Sequence, residues 1–465
     1  MKTINIGSKE VIHFIGIGGI GMSGLAQIMK VMGFKIQGSD INTNRNIENC
    51  KNLKIKVYIG HKKHNLNKAT IIVKSTAIKK NNPEIIQAIK NKLPIYDRAE
   101  MLANVISLKK NIIITGSHGK TTTTSLIGKI LTEAKLDPTI INGGVINSLK
   151  NNAKLGKGEW STVEADESDG SFLKLPINYS IVTNLDYEHI DYYKSFKNLE
   201  NSFVKFINKT PPIGKVALCI DDKNILRIIK KIDIKNYITY GFSSKSDYQI
   251  LNLKLNYNHS RFDLRIKNFK GKKVLIKNFK LNLMGRHNIS NAAGAITISL
   301  NLGINPNIIK KALDNYSGVQ RRMTKVFTKN LNDYYDDYAH HPTEIMSVLK
   351  SVKDVSGEKK IISIFQPHRF SRVLSLEKEF AKSFKYADTV ILCPIYPAGE
   401  RKDKKYDELK FARSIAKLSK VNVVIVDDKK QILRYLSRNI YSDEIIIGMG
   451  AGSISQWIRD LKNKL

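Results

Sequence analysis

The chain of 465 residues is short of cysteine and of acidic side chains, and it has no long apolar run. Cys50, Cys219 and Cys393 are odd in number, far apart and in no C-x-x-C pair. That argues against a disulfide framework and for reduced thiols. No apolar stretch approaches the ~18 residues of a membrane helix. The opening "MKTINIGSKEVIHFIGIGG" lacks the charged-then-apolar pattern of a secretory leader, so a cytoplasmic location is expected, with no membrane partner. Long internal repeats and low-complexity linkers are also missing.

Asp and Glu total 41 against 77 Lys and Arg, a formal charge of +36. The lysines form scattered doublets such as Lys79-Lys80, Lys230-Lys231 and Lys404-Lys405, not a tail. No basic stripe with interleaved aromatics and no nucleic-acid module is present, so the charge reads as solvated surface with no specific nucleic-acid partner. Oligomeric state is not encoded in any pattern found.

What is present is a rhythm of strand, glycine loop and helix that starts three times. "VIHFIGI" leads through a glycine turn into "GMSGLAQIMKVMG" and on to the strand "FKIQGSD", one βαβ unit. "NIIITGSHGKTTTTSLIGKILTEAKL" repeats the plan, and a polar stretch of alternating strands occupies roughly 247–284. A third start follows "YSGVQRR", with "KKIISIFQPH", "DTVILCPIY", "NVVIVDD" and "EIIIGMGAGS" as strands. The expected fold class is α/β in three domains: 1–107 Rossmann-like, 108–322 a P-loop ATPase domain, and 323–465 Rossmann-like. A length of this size fits about three cores.

Gly16-x-Gly18-x-x-Gly21 lies between strand and helix, and Asp40 ends the next strand. In that context the glycines permit a tight turn, and the helix N-terminus offers free N–H groups to a diphosphate. The motif reads a pyrophosphate beside a nucleoside, not nicotinamide in particular. "TGSHGKTTTT" ends in the Gly-Lys-Thr of a phosphate loop, yet the usual spacing would put a glycine where Ile114 stands; the glycine is Gly116. Gly116 and Gly119 let the backbone N–H groups turn inward, Lys120 would lie along the β- and γ-phosphates, and the Thr121 hydroxyl would reach Mg²⁺. "VEADESDGSF" places Glu164, Asp166, Glu167 and Asp169 at a strand end, where a P-loop protein keeps its magnesium carboxylate. "VTNLDYEHID" brings Asp186, Glu188, His189 and Asp191 to another; a solvated turn is the competing reading of both runs. In the third segment "DDYAHHP" and "FQPHRFSR" gather His341, His368, Arg369 and Arg372. Arginine's planar fork suits a carboxylate or phosphate, and two arginines three apart would share one face of a helix.

Together "HFIGIGGIGMSGLA", "GSD", "TGSHGKTTTT", "EADESDGSF", "GRHNISNAAGA", "DDYAHHPTE" and "FQPHRFSR", in this order, resemble the Mur ligases over essentially the whole chain. That family's compact loop G-[ST]-x-G-K-[ST]-[ST] accounts for the missing glycine at position 114. The resemblance implies that the first domain holds UDP-N-acetylmuramate around Gly16, Gly18, Gly19, Gly21 and Asp40. It implies ATP on Gly116, Ser117, His118, Gly119, Lys120, Thr121 and Thr122, with His287 and Asn288 at adenine. Thr121, Glu164 and His189 would hold Mg²⁺, two ions being expected, and His341 would stand at the reaction site. His368, Arg369 and Arg372 would receive the amino acid, L-alanine for the alanine-adding type. "Y-x-A-G-E" (Tyr396–Glu400) and "GAGSI" are further family-like stretches with no assigned role. The sequence departs from the family where Glu188 replaces an Asp and where Met323 follows Arg321-Arg322 in place of an aromatic. "FKNLENSFVKF" offers no secure counterpart of the carbamylated lysine of related ligases, which fits the alanine-adding type.

The implied chemistry is phosphorylation of the sugar's lactyl carboxylate by ATP, then attack of an amine on the acyl phosphate to give an amide, ADP and phosphate. A nicotinamide-dependent dehydrogenase is the rival built on the first loop, and a P-loop nucleic-acid-binding protein the rival built on charge. Folylpolyglutamate synthases and later Mur ligases lack the "GIGGIGMSGLA" character. A ligase that reattaches a preformed peptide to the same sugar nucleotide stays open.

Overall fold

A computed structural model describes residues 9–464, so the N-terminal leader reading falls partly outside the described residues. Among the described residues the strands form three main sheets. Val11–Ile15 lies at the centre of the first, between Lys35–Asp40 and Ile71–Lys74, with Lys56–Ile59 and Ile95–Asp97 at the edges. All five strands are parallel. The chain order 3-2-1-4-5 reverses at the central strand, and ligands of such sheets sit at the carboxyl ends beside that reversal.

The second sheet has ten strands. Its middle, Lys110–Thr115, is parallel to Trp160–Glu164 on one side and Tyr179–Val182 on the other. Ile112, Ile113 and Ile114 have no exposed surface, as expected of a strand covered on both faces. Lys215–Cys219 and Tyr237–Gly241 continue the parallel run. The polar stretch near 247–284 forms Tyr248–Leu255, Ser260–Phe269 and Lys272–Leu281, long strands with alternating burial. The third sheet places Ile445–Met449 between Asn332–Asp337 and Ile361–Phe365, with Thr389–Leu392 and Asn422–Ile425 beyond. Thr324–Lys329 pairs antiparallel at its edge.

Contact density separates two compact units. One runs to Leu251 and resumes at Asp263–Phe279 and Ser290–Ser317; the other comprises Asn252–Phe262, Lys280–Ile289 and the chain from Gly318 onward. The first carries the cores of the first two sheets. A continuous cluster there runs from Phe14, Leu25 and Val73 to Ile113, Val163, Val182 and Phe203. The second is built on the third sheet, where Ile361, Phe365, Phe380, Phe384 and Ile447 are buried together. No helix among the described residues is long and apolar enough to cross a membrane. All three cysteines are free and buried, and burial pushes the Cys50 thiol up to about 12.

One polar cluster sits inside the first sheet's domain. Glu84, fully buried, accepts from the Ser39 hydroxyl at 2.6 Å, from Asn65 Nδ2 at 2.6 Å and from His61 Nδ1 at 3.1 Å. His13 Nε2 approaches it at 3.6 Å. Burial alone would favour the neutral acid, but the nearby His13 and the hydrogen bonds from Ser39 and Asn65 outweigh it and hold the carboxyl below its ordinary range. The Ser39 carbonyl in turn accepts from Gly16 N at 2.8 Å and Ile17 N at 3.0 Å. The glycine loop is therefore anchored from behind.

Candidate functional site

The ATP-type loop leaves Lys110–Thr115 and enters the helix Lys120–Glu133 through Gly119 in the left-handed conformation. Its shape is set from the neighbouring strand end. His118 N donates to Asn184 Oδ1 at 2.8 Å, Ser117 N to the Asn184 carbonyl at 3.2 Å, and the Thr183 hydroxyl to the His118 carbonyl at 2.6 Å. Asp186 N donates to Ser117 Oγ at 2.8 Å, and His118 Nε2 meets Asp186 Oδ2 at 3.1 Å. Asn291 covers Gly119, where any Cβ would stand 2.4 Å from Oδ1. Asn184, Thr183 and Asn291 escaped the sequence reading; the second Asn of "HNISNA" was the available signal for Asn291.

Lys120 bends back over this loop, donating to the carbonyls of Gly116 at 2.6 Å and Ser117 at 2.9 Å. Its ammonium pairs with Glu167 at 2.8 Å. Burial disfavours the charge, but Glu167, Asp166 and Glu164 outweigh it, so the ammonium stays protonated well above its ordinary range. Asp166 is disfavoured by burial and held low by Lys120 and the Ser168 hydrogen bonds. Thr121 Oγ1 donates to Glu164 Oε1 at 3.0 Å, and Gly143 N to Glu164 Oε2 at 2.5 Å.

The residues present fit a hard divalent cation. Glu167 is 1% exposed, yet its oxygens have no well-angled hydrogen bond among the described residues and meet the Lys120 ammonium and the His189 imidazole. Ligand atoms of Glu167, Glu188 and His189 lie within 4.8 Å of one another. His189 Nε2 is 3.4 Å from Glu167 and 3.8 Å from Glu188. Burial would lower this imidazole, but the two glutamates outweigh it and raise it. His189 itself sits at φ 57°, a left-handed position that a non-glycine residue occupies at some cost. Of the magnesium set named from sequence, Thr121 and Glu164 touch each other, and His189 stands with Glu167 and Glu188 instead.

The first loop is built differently. Gly18 N donates to Asp40 Oδ2 at 2.8 Å, while Asn44 and Asn46 donate to the Gly18 carbonyl at 3.1 and 2.9 Å. A Cβ at Gly18 would come within 2.9 Å of both Asn44 and Asp40. Asp40 is thus engaged by the loop. Arg98, unmarked in the sequence reading, packs its guanidinium against Gly21. Gly19 caps the helix Ile20–Val31, whose first turn has no acidic residue.

In the second unit, three strand ends converge. Gly450 N donates to the Asp337 carbonyl at 3.2 Å and Gln366 N to the Met449 carbonyl at 3.0 Å. Arg321 Nη2 donates to the Gly450 carbonyl at 2.6 Å and its guanidinium lies 4.7 Å over the Tyr338 ring. Burial raises the Asp337 carboxyl to about 6, against the pull of Arg322. His341 stands at the N-cap of the helix Pro342–Ser356, where its backbone N–H donates to Glu344 Oε2 at 3.4 Å. His287 Nδ1 lies 3.1 Å from the Ser351 hydroxyl, and Asn288 Nδ2 donates to the Met284 carbonyl at 2.9 Å. Burial, with Arg322 nearby, lowers His287 to about 4. Arg369 and Arg372 do not share a helical face: the helix is Phe370–Ser375, and Arg369 precedes it at φ 71°. The helix opens one residue too late to include it. Arg372 Nη1 donates to His368 Nδ1 at 3.3 Å, which makes that imidazole an acceptor. Burial, with His340 and the guanidinium groups of Arg372, Arg369 and Arg321 nearby, lowers it to about 3.

A doubly wound first sheet, a phosphate loop with adjacent carboxylates and a third sheet parallel except at one edge define an α/β protein of the nucleotide-binding class. The chain belongs to the Mur ligase family. Residues 11–110 match the family's catalytic-domain model, 114–299 its middle domain and 321–452 its glutamate ligase domain. It is 55% identical to the UDP-N-acetylmuramate–L-alanine ligase of Pelagibacter ubique, over 98% of this chain and 99% of that one. Identity to the enzyme of that name from Bartonella bacilliformis is 42%, over 99% and 97%. The crystal structure of the Thermotoga maritima UDP-N-acetylmuramate-alanine ligase superposes with a TM-score of 0.83 at 27% identity, over 97% and 98% of the two chains. A murein peptide ligase from Psychrobacter arcticus shares the fold, with a TM-score of 0.73 at 21% identity over 98% of each chain.

Proposed function

We propose that this chain joins L-alanine to the lactyl carboxylate of UDP-N-acetylmuramate at the expense of ATP, giving UDP-N-acetylmuramoyl-L-alanine, ADP and phosphate in the cytoplasm, a step of peptidoglycan precursor synthesis. The observation that carries this reading is full-length similarity to alanine-adding ligases together with the buried Lys120–Glu167 pair in a compact phosphate loop. Residues 1–107 hold the sugar nucleotide on the Gly16–Gly21 loop, Gly19 and Asp40, with Arg98 at the diphosphate. Residues 108–322 hold ATP on Gly116–Thr122 with Asn291, and His287 and Asn288 serve adenine. Residues 323–465 receive L-alanine on His368, Arg369 and Arg372.

A carboxylate is a poor electrophile, so the lactyl oxygen first attacks the γ-phosphorus and ADP departs. Lys120 exchanges the Gly116 and Ser117 carbonyls for the phosphate oxygens and offsets their charge. Thr121, Glu164 and His189, with Glu167 and Glu188 beside them, would hold Mg²⁺, proposed as two ions, which would supply further neutralisation of the phosphates. The alanine amine then attacks the acyl carbon, a tetrahedral intermediate forms, and phosphate leaves as the amide closes. His341 is assigned to that reaction site, from which water must be kept because it would hydrolyse the acyl phosphate. The test is phosphate release with UDP-N-acetylmuramate, ATP and one amino acid at a time, with the product weighed by mass spectrometry. Release with L-alanine supports the reading. Release only with a preformed peptide would replace it by a recycling ligase, and binding of nicotinamide without ligation by a dehydrogenase.

A further inference from the structure

The stretch Tyr396–Glu400 follows the strand Thr389–Leu392 and grips the turn "QPHRFS" at both of its ends. Tyr396 N donates to the Pro367 carbonyl at 2.8 Å, and Arg369 N donates to the Tyr396 carbonyl at 2.9 Å, so His368 and Tyr396 pair as a short parallel bridge. The rings of these two residues stack at 5.6 Å with 12° between their planes. At the far end Glu400 accepts from Ser371 N at 3.1 Å and from Ser371 Oγ at 2.6 Å. Between the two grips lies Arg369 at φ 71°, a conformation that L side chains avoid and that persists only where the surroundings impose it. His368, held flat on Tyr396, then accepts from Arg372 Nη1.

We infer that Tyr396 and Glu400 are positioning residues, a strap that fixes the strained Arg369 backbone and, through His368, the direction of the Arg372 guanidinium. The strap rests on the reading that this turn receives the amino acid. Neither residue needs to touch substrate. Its effect is on geometry: two guanidinium groups converge on a carboxylate only if backbone and fork are both held, and bidentate recognition tolerates little misalignment. Glu400 supplies two bonds from one side chain, which makes it the most informative residue to remove.

The experiment measures KM separately for L-alanine, ATP and UDP-N-acetylmuramate in the full-length wild type, Glu400→Ala, Glu400→Gln, Ser371→Ala and Tyr396→Leu, with thermal melts alongside. Glu400→Ala is expected to raise KM for L-alanine about tenfold, the loss of a charge-assisted anchor, and to leave the other two KM values within about twofold. Glu400→Gln, whose amide oxygen still accepts, restores part of the loss; Ser371→Ala, which removes one of the two bonds, falls between. A merely structural role would lower the active fraction, and hence kcat, with all three KM values unchanged, and that result overturns the inference. If Glu400→Ala does not fold, Ser371→Ala decides by the same criterion. A wild type inactive with L-alanine overturns the functional reading and the strap with it; an active wild type whose strap variants keep KM for L-alanine sinks the strap alone.

Discussion

Two loops of the first unit share one local plan, strand to glycine turn to helix, and differ in what the neighbouring strand ends do to them. At Gly16–Gly21 the adjacent carboxylate, Asp40, takes a loop N–H for itself, and the Ser39 carbonyl takes two more. At Gly116–Thr122 the loop's backbone is fixed by Asn184 and Thr183, neutral groups, and Asp186 holds the Ser117 and His118 side chains, while Glu164 and Glu167 face Thr121 and Lys120. One loop is a backbone turn held by a single acid. The other is a cradle whose one ammonium already sits among carbonyls and several carboxylates. On the proposed function, the glycines let phosphate approach, and the flanking acids and the lysine decide whether it reacts.

The sharpest way to break this comparison is Lys120→Ala. It should lower ligation by about 10²–10³-fold or more, as removal of a preorganised charge donor does. Calorimetric affinity for UDP-N-acetylmuramate should be unchanged, and loss of both would mean the two loops are not separate sites. Next in size, Gly18→Ala drives a methyl into Asn44 and Asp40, so KM for the sugar nucleotide should rise by about one order of magnitude. KM for ATP in the same variant should stay put, and a matching rise there would remove the division of labour. Glu164→Gln keeps the shape beside Thr121 but drops a charge. Its magnesium midpoint should move up about tenfold, with metal-free ATP binding little changed. A constant magnesium titration would hand the role to Glu167 and Glu188.

The smallest expected effect concerns pH and the second unit. His368 and His287 are lowered in the folded protein to about 3 and about 4, from an ordinary value near 6.5. A lowered imidazole means the unfolded chain binds more protons than the folded one between those values. Its contribution to stability is complete above about pH 6.5 and is lost as pH falls toward the folded values. Tm should therefore decline on acidification from pH 7 to pH 5, and His368→Asn should flatten the decline. A Tm that rises over this range contradicts the sign.

Much of this was legible in the sequence because glycine spacing, strand-ending carboxylates and buried isoleucine runs are local signals. The compact loop around Lys120, the strand ends at Glu164 and Asp40 and the alternating polar stretch near 247–284 all follow from such signals. What escaped was of two kinds. Asn184, Asn291 and Arg98 act across strand ends, and nothing in residue spacing says which amide will face the loop or which of the acids Glu164, Asp166, Glu167 and Asp169 will pair with Lys120. Arg369 was expected on a helical face with Arg372, but the Tyr396 bonds hold its backbone at positive φ and the helix begins after it. A long-range hydrogen bond overrode a local periodicity.

The anchoring of Gly16 and Ile17 through Ser39 onto the buried Glu84 carries a consequence for how the first domain can fail. Stripping a partner from an ion enclosed in protein costs about 3–5 kcal/mol, comparable to much of a domain's whole stability. The glycine turn cannot loosen on its own while the sheet behind it stays intact. Melting and loss of recognition become one event: on heating, the fraction of chains able to capture the sugar nucleotide should track the fraction still folded, with no softened, non-binding intermediate in between.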